Sequence, residues 1–121
     1  MWRVATTAEF DRWFADLAED AQVEVIAKVE LLKVLGPALG RPHADTLKGS
    51  RYSNLKELRA DTAQQTLRIA FVFDPERAAI LLVAGNKSGT SQKRFYKQLI
   101  ARAEALYERH LAQLKARRKG S

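Results

Sequence analysis

The sequence contains no cysteine and only two histidines. The lack of cysteine excludes disulfide bridges, a thiol nucleophile and cysteine-ligated metal sites. Two histidines are too few for a typical histidine metal site, and no glycine-rich phosphate loop or HExxH motif is present, so we expect no metal and no other cofactor. No apolar run approaches the roughly 20 residues of a membrane span, and no signal peptide begins the chain. These absences predict a soluble, cytoplasmic protein without a membrane partner.

The length and composition are those of a globular protein. With 121 residues, 46% hydrophobic and 29% charged, the chain predicts one domain over residues 1–121. We expect the basic tail, residues 115–121, to fray.

The net charge of +7 is unevenly distributed. Residues 1–30 carry −4, residues 31–86 carry +3 and residues 87–121 carry +8. A basic C-terminal third predicts a surface for a polyanion and leaves the acidic N-terminal third for another contact. The alternative interpretation is that these charges only keep the protein surface soluble and bind no partner.

The first half of the chain reads as one strand and two helices. An apolar run over residues 2–5 predicts an edge strand, and Thr6 with Glu9 has the spacing of a capping box for a helix over residues 7–19. Asp20 is the expected cap of a second helix, which ends before Gly36 and Pro37. Its expected apolar stripe consists of Val23, Ile26, Val29 and Leu32. Residues 37–50 are expected to form a long loop.

The second half reads as a meander and a long helix. Strict alternation predicts a strand over residues 66–73, flanked by strands over residues 54–59 and 78–85, and a helix follows over residues 92–116. The predicted fold class is α+β, with an N-terminal strand, a helical hairpin, a three-stranded antiparallel meander and a long C-terminal helix, the helices packing on one face of the sheet.

Cationic side chains on the strands are the candidate site. If Leu67, Ile69 and Phe71 face the helices, Arg68 is expected on an open face. The further candidates are Lys56 and Arg59 in the preceding strand, Lys87 after the last strand, and Tyr96 with Lys93, Arg94 and Lys97 in the long helix. His43 is expected to be solvated, and His110 to stabilise the C-terminal end of its helix.

Arginine, lysine and tyrosine suffice to cleave RNA, because the RNA 2′-hydroxyl can attack its own phosphate. The protein then positions the chain, stabilises the charge on the phosphate and moves protons. Arginine suits the phosphate contact, and tyrosine can stack on a base or relay a proton. Simple phosphate binding without chemistry fits the same residues.

Several strings resemble the RelE/ParE toxin superfamily, in its HigB-type, phage-derived branch. They are LKELR from Leu55, LRIAFVFDP from Leu67, ILLVAGNKSG from Ile80, and Phe95-Tyr96. The resemblance covers residue 2 to about residue 114 and implies the RelE-like microbial RNase fold.

The resemblance implies the toxin of a type II toxin–antitoxin system. Its implied activity is a ribosome-dependent, metal-independent mRNA endoribonuclease (an mRNA interferase) that uses 2′-hydroxyl transesterification and inhibits translation. The implied partners are the ribosome, mRNA and a cognate HigA-like antitoxin with a helix-turn-helix domain. By position, the resemblance makes four residues catalytic: Arg68, Lys87, Tyr96 and Arg59. The RNA-binding candidates are Lys56, Lys93, Arg94 and Lys97.

The resemblance also leaves questions open. Glu57 stands where RelE has a second catalytic lysine, so the general base is unassigned. ParE-type members of the superfamily bind and poison DNA gyrase without catalysis, which is the alternative function. A nucleic-acid-binding module without toxicity is the third reading.

Overall fold

A computed structural model describes residues 1–120 of the protein as eight regular elements. The strands are β1 (Val4–Thr6), β2 (Ala44–Thr46), β3 (Lys56–Asp61), β4 (Thr66–Phe73) and β5 (Ala79–Asn86). The helices are α1 (Ala8–Ala15), α2 (Glu19–Leu35) and α3 (Gln92–Lys119), and a short 3₁₀ turn spans Gly36–Ala38. The predicted α+β class is confirmed, and the predicted elements occur in the expected order, with β2 as an additional strand.

The five strands form one sheet in the order β1-β5-β4-β3-β2. β1 runs parallel to β5 at one edge, and the other pairs are antiparallel. β5 is an interior strand that is apolar on both faces, as its sequence predicts, although β4 and not β5 is at the centre of the sheet; β1 and β2 are the edges. The fifth strand, β2, lies within residues 37–50, which were expected to form a loop. That expectation is wrong for Ala44–Thr46, which pairs with β3.

Helices cover both faces of the sheet. One cluster of buried residues packs α1 and α2 against Leu58, Leu67 and Ile69. A second cluster packs Leu99 and Ala103 of α3 against the opposite face. The expectation that the helices pack on one face is therefore wrong, because the alternating pattern of β4 has apolar side chains on both sides.

The helical hairpin differs in detail from the sequence expectations. Thr7, rather than Thr6, caps α1: its Oγ1 accepts a hydrogen bond of 3.0 Å from the amide of Phe10. α2 begins at Glu19 after Ala18, whose side chain makes no capping hydrogen bond, so Asp20 is not the cap.

The buried stripe of α2 is also different. Ala21, Val25 and Leu32 face the core, whereas Val23 and Ile26 are exposed. At 3.6 residues per turn, steps of three residues drift around the helix, and Val23 lies about 180° from Leu32. The expected stripe is therefore wrong for Val23 and Ile26, whereas Leu32 is buried and Val29 packs against the core.

The end of α2 depends on a close approach that only glycine permits. Gly36 has a φ of 54°, and a Cβ there would lie 2.2 Å from Nε1 of Trp2. The amide of Trp2 donates a hydrogen bond of 2.9 Å to the carbonyl of Lys33. The chain start is thus held beside the end of α2.

α3 is continuous through Lys119, about 42 Å at 1.5 Å per residue. The helix includes residues 115–119 of the expected frayed tail, and Ser121 lies outside the described residues. His110 is therefore well inside α3, not at its C-terminal end, and its Nε2 lies 2.8 Å from Oδ2 of buried Asp74. None of the described helices has the length and apolar character of a membrane span.

Candidate active site

The register of β3 against β4 places charged side chains on the face that α3 covers. Arg59 lies directly opposite Arg68, and Glu57 and Asp61 are two residues away from Arg59 on either side. Because side chains alternate along a strand, these four share one face. Their strand neighbours Leu58, Ala60, Leu67 and Ile69 point into the opposite core.

Arg68 is buried, with only 6% of its surface exposed. The expectation that it stands on an open face is wrong, because α3 packs over that face. Gly85 is the β5 partner of Arg68, and a Cβ at Gly85 would lie 3.0 Å from the Phe95 ring. The glycine thus leaves room for the first turn of α3 to approach the arginine.

The guanidinium of Arg68 is only partly satisfied. Its Nη1 donates hydrogen bonds of 2.6 Å to Oδ1 of Asp61 and 2.8 Å to the carbonyl of Leu67. Its Nε is buried without a hydrogen-bond acceptor, and Oε1 of Glu57 lies 3.8 Å from it. Buried N–H groups are almost always hydrogen-bonded, so the missing acceptor at this donor is unusual.

Glu57 is the buried carboxylate at the centre of the cluster, with 4% of its surface exposed. Its Oε1 accepts a hydrogen bond of 2.7 Å from the hydroxyl of Tyr96. Its Oε2 accepts two hydrogen bonds from Arg59, from Nε at 3.2 Å and from Nη2 at 3.1 Å. Glu57 therefore connects the tyrosine to both arginines. Sequence reasoning noted it only as a departure from RelE, although its spacing from Arg59 already placed the two on one face.

Tyr96 keeps its proton at neutral pH. Burial, reinforced by the hydrogen bond to Glu57 and the charge of that carboxylate, raises the pKa of Tyr96 to about 12. The ammonium of Lys87 lies 5.6 Å from the centre of the Tyr96 ring. At neutral pH the phenol can therefore donate a proton or hydrogen bond but is not a base.

β2 extends the charged network beyond Arg59. Oδ2 of Asp45 accepts hydrogen bonds from Nη2 of Arg59 at 3.4 Å and from Nε of Arg41 at 2.9 Å. The hydrogen bond from the Thr46 amide, and then that from Arg41, hold the pKa of Asp45 below its usual value. Charges of alternating sign thus connect the edge of the sheet to Arg68.

A basic groove lies beside the cluster. Lys93 and Lys97 are exposed on α3 and line a groove of about 610 Å³ together with Lys48 and Tyr96. Arg94 is exposed on a neighbouring groove of about 580 Å³ that also includes Lys93 and Lys97. The first two turns of α3 therefore offer positive charge next to the phenol.

Lys56 is the candidate that the structure does not bring to the cluster. It alternates with Glu57 and Arg59 along β3 and so points to the other face of the sheet. The remaining candidates are close together: Arg68, Arg59, Lys87 and Tyr96 in the cluster, with Lys93, Arg94 and Lys97 beside it.

Neither histidine belongs to this site. Nδ1 of His43 lies 2.9 Å from Nζ of Lys28 in α2, on the opposite face of the sheet. His110 lies fourteen residues after Tyr96, about 21 Å along α3. Among residues 1–120, no group of three or more histidine, aspartate or glutamate side chains is arranged to hold a metal ion.

The geometry suits an anionic ligand rather than a neutral one. A guanidinium with a free donor, a lysine and a protonated phenol can contact the oxygens of a phosphate, and the phenol can donate a proton as charge develops.

Comparison with solved structures identifies the fold. A mutant of the E. coli toxin RelE in the free state matches with a TM-score of 0.58 at 8% identity, over 83% of this chain and 94% of that one. RelE in the archaeal RelE–RelB complex of Pyrococcus horikoshii matches with a TM-score of 0.54 at 13% identity, over 74% and 98%. The chain has the RelE-like fold.

Two proteins of Mycobacterium tuberculosis are related in sequence. "Putative toxin HigB2" is 42% identical over 114 residues, covering 91% of this chain, and this chain spans 56% of the length of that relative. "Putative toxin HigB3" is 43% identical over 104 residues, covering 86% of this chain and 89% of the relative. The model of the family described as phage-derived protein Gp49-like matches residues 12–108. The chain therefore belongs to the phage-derived Gp49-like family of RelE-fold proteins.

Proposed function

We propose that this chain is the toxin of a type II toxin–antitoxin pair and that it inhibits translation by cleaving mRNA on the ribosome. One observation above all supports the proposal: buried Arg68 has an N–H without an acceptor and shares the carboxylate of Glu57 with a tyrosine that keeps its proton. The names of the relatives and the RelE-like fold agree with a toxin.

The proposed reaction uses the nucleophile that RNA already carries. The 2′-hydroxyl releases its proton to solvent as its oxygen attacks the adjacent phosphorus. The bond to the 5′-oxygen of the next nucleotide breaks, and a 2′,3′-cyclic phosphate and, once the leaving oxygen is protonated, a 5′-hydroxyl result. Arg68 binds the scissile phosphate and Lys87 adds positive charge beside it. Tyr96, whose raised pKa keeps it protonated at neutral pH, donates its proton to the leaving 5′-oxygen and is reprotonated from solvent.

The other charged residues hold the reacting groups and the RNA in this proposal. Arg59 fixes Glu57, which in turn orients the hydroxyl of Tyr96. The exposed cations of α3, Lys93, Arg94 and Lys97, contact RNA phosphates without reading sequence. Lys56 contacts RNA separately, from the other face of the sheet.

Primer extension on mRNA from a cell-free translation reaction tests the activity. Purified protein should produce cleavage products within the translated region, and Tyr96→Phe should slow cleavage by about 100-fold or more, as expected for loss of a proton donor. Tyr52→Phe is the matched control, because Tyr52 packs on Tyr107 outside the cluster. Intact mRNA on stalled ribosomes at saturating protein contradicts the proposal.

Two further measurements distinguish the alternatives. Inhibition of DNA supercoiling by gyrase without RNA cleavage would support the ParE-like function instead. Induced expression that leaves growth unchanged, with neither activity, would support a binding module without toxicity.

We also propose that a helix-turn-helix antitoxin neutralises the protein in the cytoplasm. The archaeal neighbour is a RelE–RelB complex, and the N-terminal 30 residues of this chain carry −4, away from the basic groove. A small helix-turn-helix protein encoded next to this chain should copurify with it and restore translation. A neighbouring product that does neither contradicts this part of the proposal.

A further inference from the structure

Two carboxylates approach Arg68, and they are held in very different ways. Glu57 is buried and accepts hydrogen bonds from both Arg59 and Tyr96. Asp61 is the last residue of β3, and its side chain is 56% exposed. Among residues 1–120, Arg68 is the only hydrogen-bond or ion-pair partner of the Asp61 side chain. Asp61 can therefore leave Arg68 for solvent at little cost, whereas Glu57 cannot.

The contact between Asp61 and Arg68 is short, at 2.6 Å, and it occupies a donor on Nη1 of the guanidinium. The Nε of the same group has no acceptor. The free protein thus holds Arg68 in a half-satisfied state, in which an exposed carboxylate occupies one donor and a second, buried donor has no acceptor. An incoming anion with several oxygens can satisfy more of these donors than Asp61 does.

We propose that the carboxylate of Asp61 stands in for an oxygen of the RNA phosphate in the free protein and that RNA displaces it. This inference rests on the proposed function, because it assigns the phosphate to Arg68. Asp61 then competes with RNA at Arg68 and sets the affinity of the site. It also shields the buried guanidinium until a polyanion, held by the basic groove of α3, arrives at high local concentration. Asp61 is a specificity-determining residue in this scheme and takes no part in the bond changes.

Binding of an uncleavable RNA tests the competition. The ligand is a fluorescently labelled single-stranded RNA oligonucleotide whose 2′-hydroxyl groups are methylated, so that it lacks the nucleophile and is not cleaved. Its fluorescence anisotropy is measured as a function of protein concentration at one fixed ionic strength. Asp61→Asn should tighten binding threefold to tenfold. Asp11→Asn is the matched control: it removes the same charge from exposed Asp11 in α1, and it should change the affinity less than twofold.

A double variant separates competition for Arg68 from a general charge effect. In an Arg68→Gln background, Asp61→Asn should leave the affinity unchanged within twofold, because no guanidinium remains to compete for. An equal gain in that background overturns the inference. Unchanged or weakened binding by Asp61→Asn alone also overturns it, since Asp61 would then be inert or would serve to position Arg68.

Single-turnover cleavage on programmed ribosomes supplies the second readout. For Asp61→Asn, the protein concentration that gives half of the maximal cleavage rate should fall threefold to tenfold, and the maximal rate itself should stay the same. A lower plateau contradicts the inference. If the wild-type protein cuts mRNA but Asp61→Asn shows no such shift, only this inference fails. If the wild-type protein does not cut and Arg68→Gln binds RNA normally, the proposed function fails.

Discussion

Removal of the Arg68 side chain is the most informative single perturbation of the fold, because this arginine is both buried and charged. Arg68→Ala removes the partner of Asp61 and one of the two guanidinium groups beside Glu57, the nearer being that of Arg59. It also leaves an empty space between the sheet and the first turn of α3. An exposed strand arginine would instead be dispensable for stability, within about 0.5 kcal/mol.

The magnitude follows from the two carboxylates that remain. Breaking a buried ion pair by removing one partner typically costs about 3–5 kcal/mol. The cost should lie below that range here, because Asp61 can turn into solvent and Glu57 keeps its hydrogen bonds from Arg59 and Tyr96. We expect Arg68→Ala to lower the free energy of unfolding by about 2–3 kcal/mol, which for a chain of this size lowers Tm by roughly 8–12 °C.

Urea unfolding followed by circular dichroism measures this loss, with calorimetry as an independent check of Tm. Arg102→Ala is the matched control: Arg102 is exposed on α3, and its replacement should stay within about 0.5 kcal/mol of the wild-type value. If Arg68→Ala proves as stable as Arg102→Ala, Arg68 is not buried in an ion-pair cluster and the site geometry is wrong. Because Arg68→Ala weakens the fold, a loss of cleavage in that variant cannot by itself assign a role to Arg68. Arg68→Lys, which keeps the charge, is the better test of activity.

Three further predictions concern titration and the contacts between layers. Phenolate absorbance should show Tyr96 ionising with a midpoint near pH 12, and Tyr96→Phe should remove that step. Because folding raises the pKa of Tyr96, the contribution of this residue to stability is present below pH 10 and is lost between about pH 10 and 12. The hydrogen bonds from Arg109 lower the pKa of Glu9 to about 2. The contribution of Glu9 to the stability of the fold is therefore present above pH 4.5 and is lost as the pH falls toward 2. A midpoint near pH 4.5 for the Glu9 carboxyl in an NMR titration would contradict the ion pair. Asp74→Ala should lower the free energy of unfolding in urea by about 2 kcal/mol, because the carboxylate accepts hydrogen bonds from two turn amides and lies against His110. Asp74→Asn should lower it less, because the amide oxygen of asparagine can still accept hydrogen bonds from the turn.

The strands and the long helix were predictable because their patterns are local. The alternation over residues 66–73 predicts β4 with its correct bounds, whereas the strand expected over residues 54–59 lies two residues later, at Lys56–Asp61. What covers each face was not predictable, since alternation assigns residues to faces without saying what packs on them. Arg68 was therefore expected in solvent although α3 lies over it. β2 has only three residues, too few for a periodic signal to predict it.

The candidate site was predictable in its members more than in its chemistry. The positions of Arg59, Arg68, Lys87 and Tyr96 in the sequence suffice to bring them together in a RelE-like fold. The role of Glu57 required the structure, because a carboxylate in a strand has no distinctive spacing. Only its burial and its hydrogen bonds with Arg59 and Tyr96 show that it organises the cluster.

The distribution of charge over the folded protein separates attraction of RNA from binding at the reaction site. The charges of four residues at the centre of the cluster, Arg59, Arg68, Glu57 and Asp61, sum to zero, so these four add nothing to the positive potential of the molecule. That potential comes from residues 87–121 and acts through the exposed cations of α3. Salt should therefore weaken the encounter with RNA strongly, since counterion release depends on the exposed cations. The contact between Asp61 and Arg68 is partly buried and is screened much less. Salt should therefore leave the affinity gain of Asp61→Asn nearly unchanged while it lowers the affinity of both proteins.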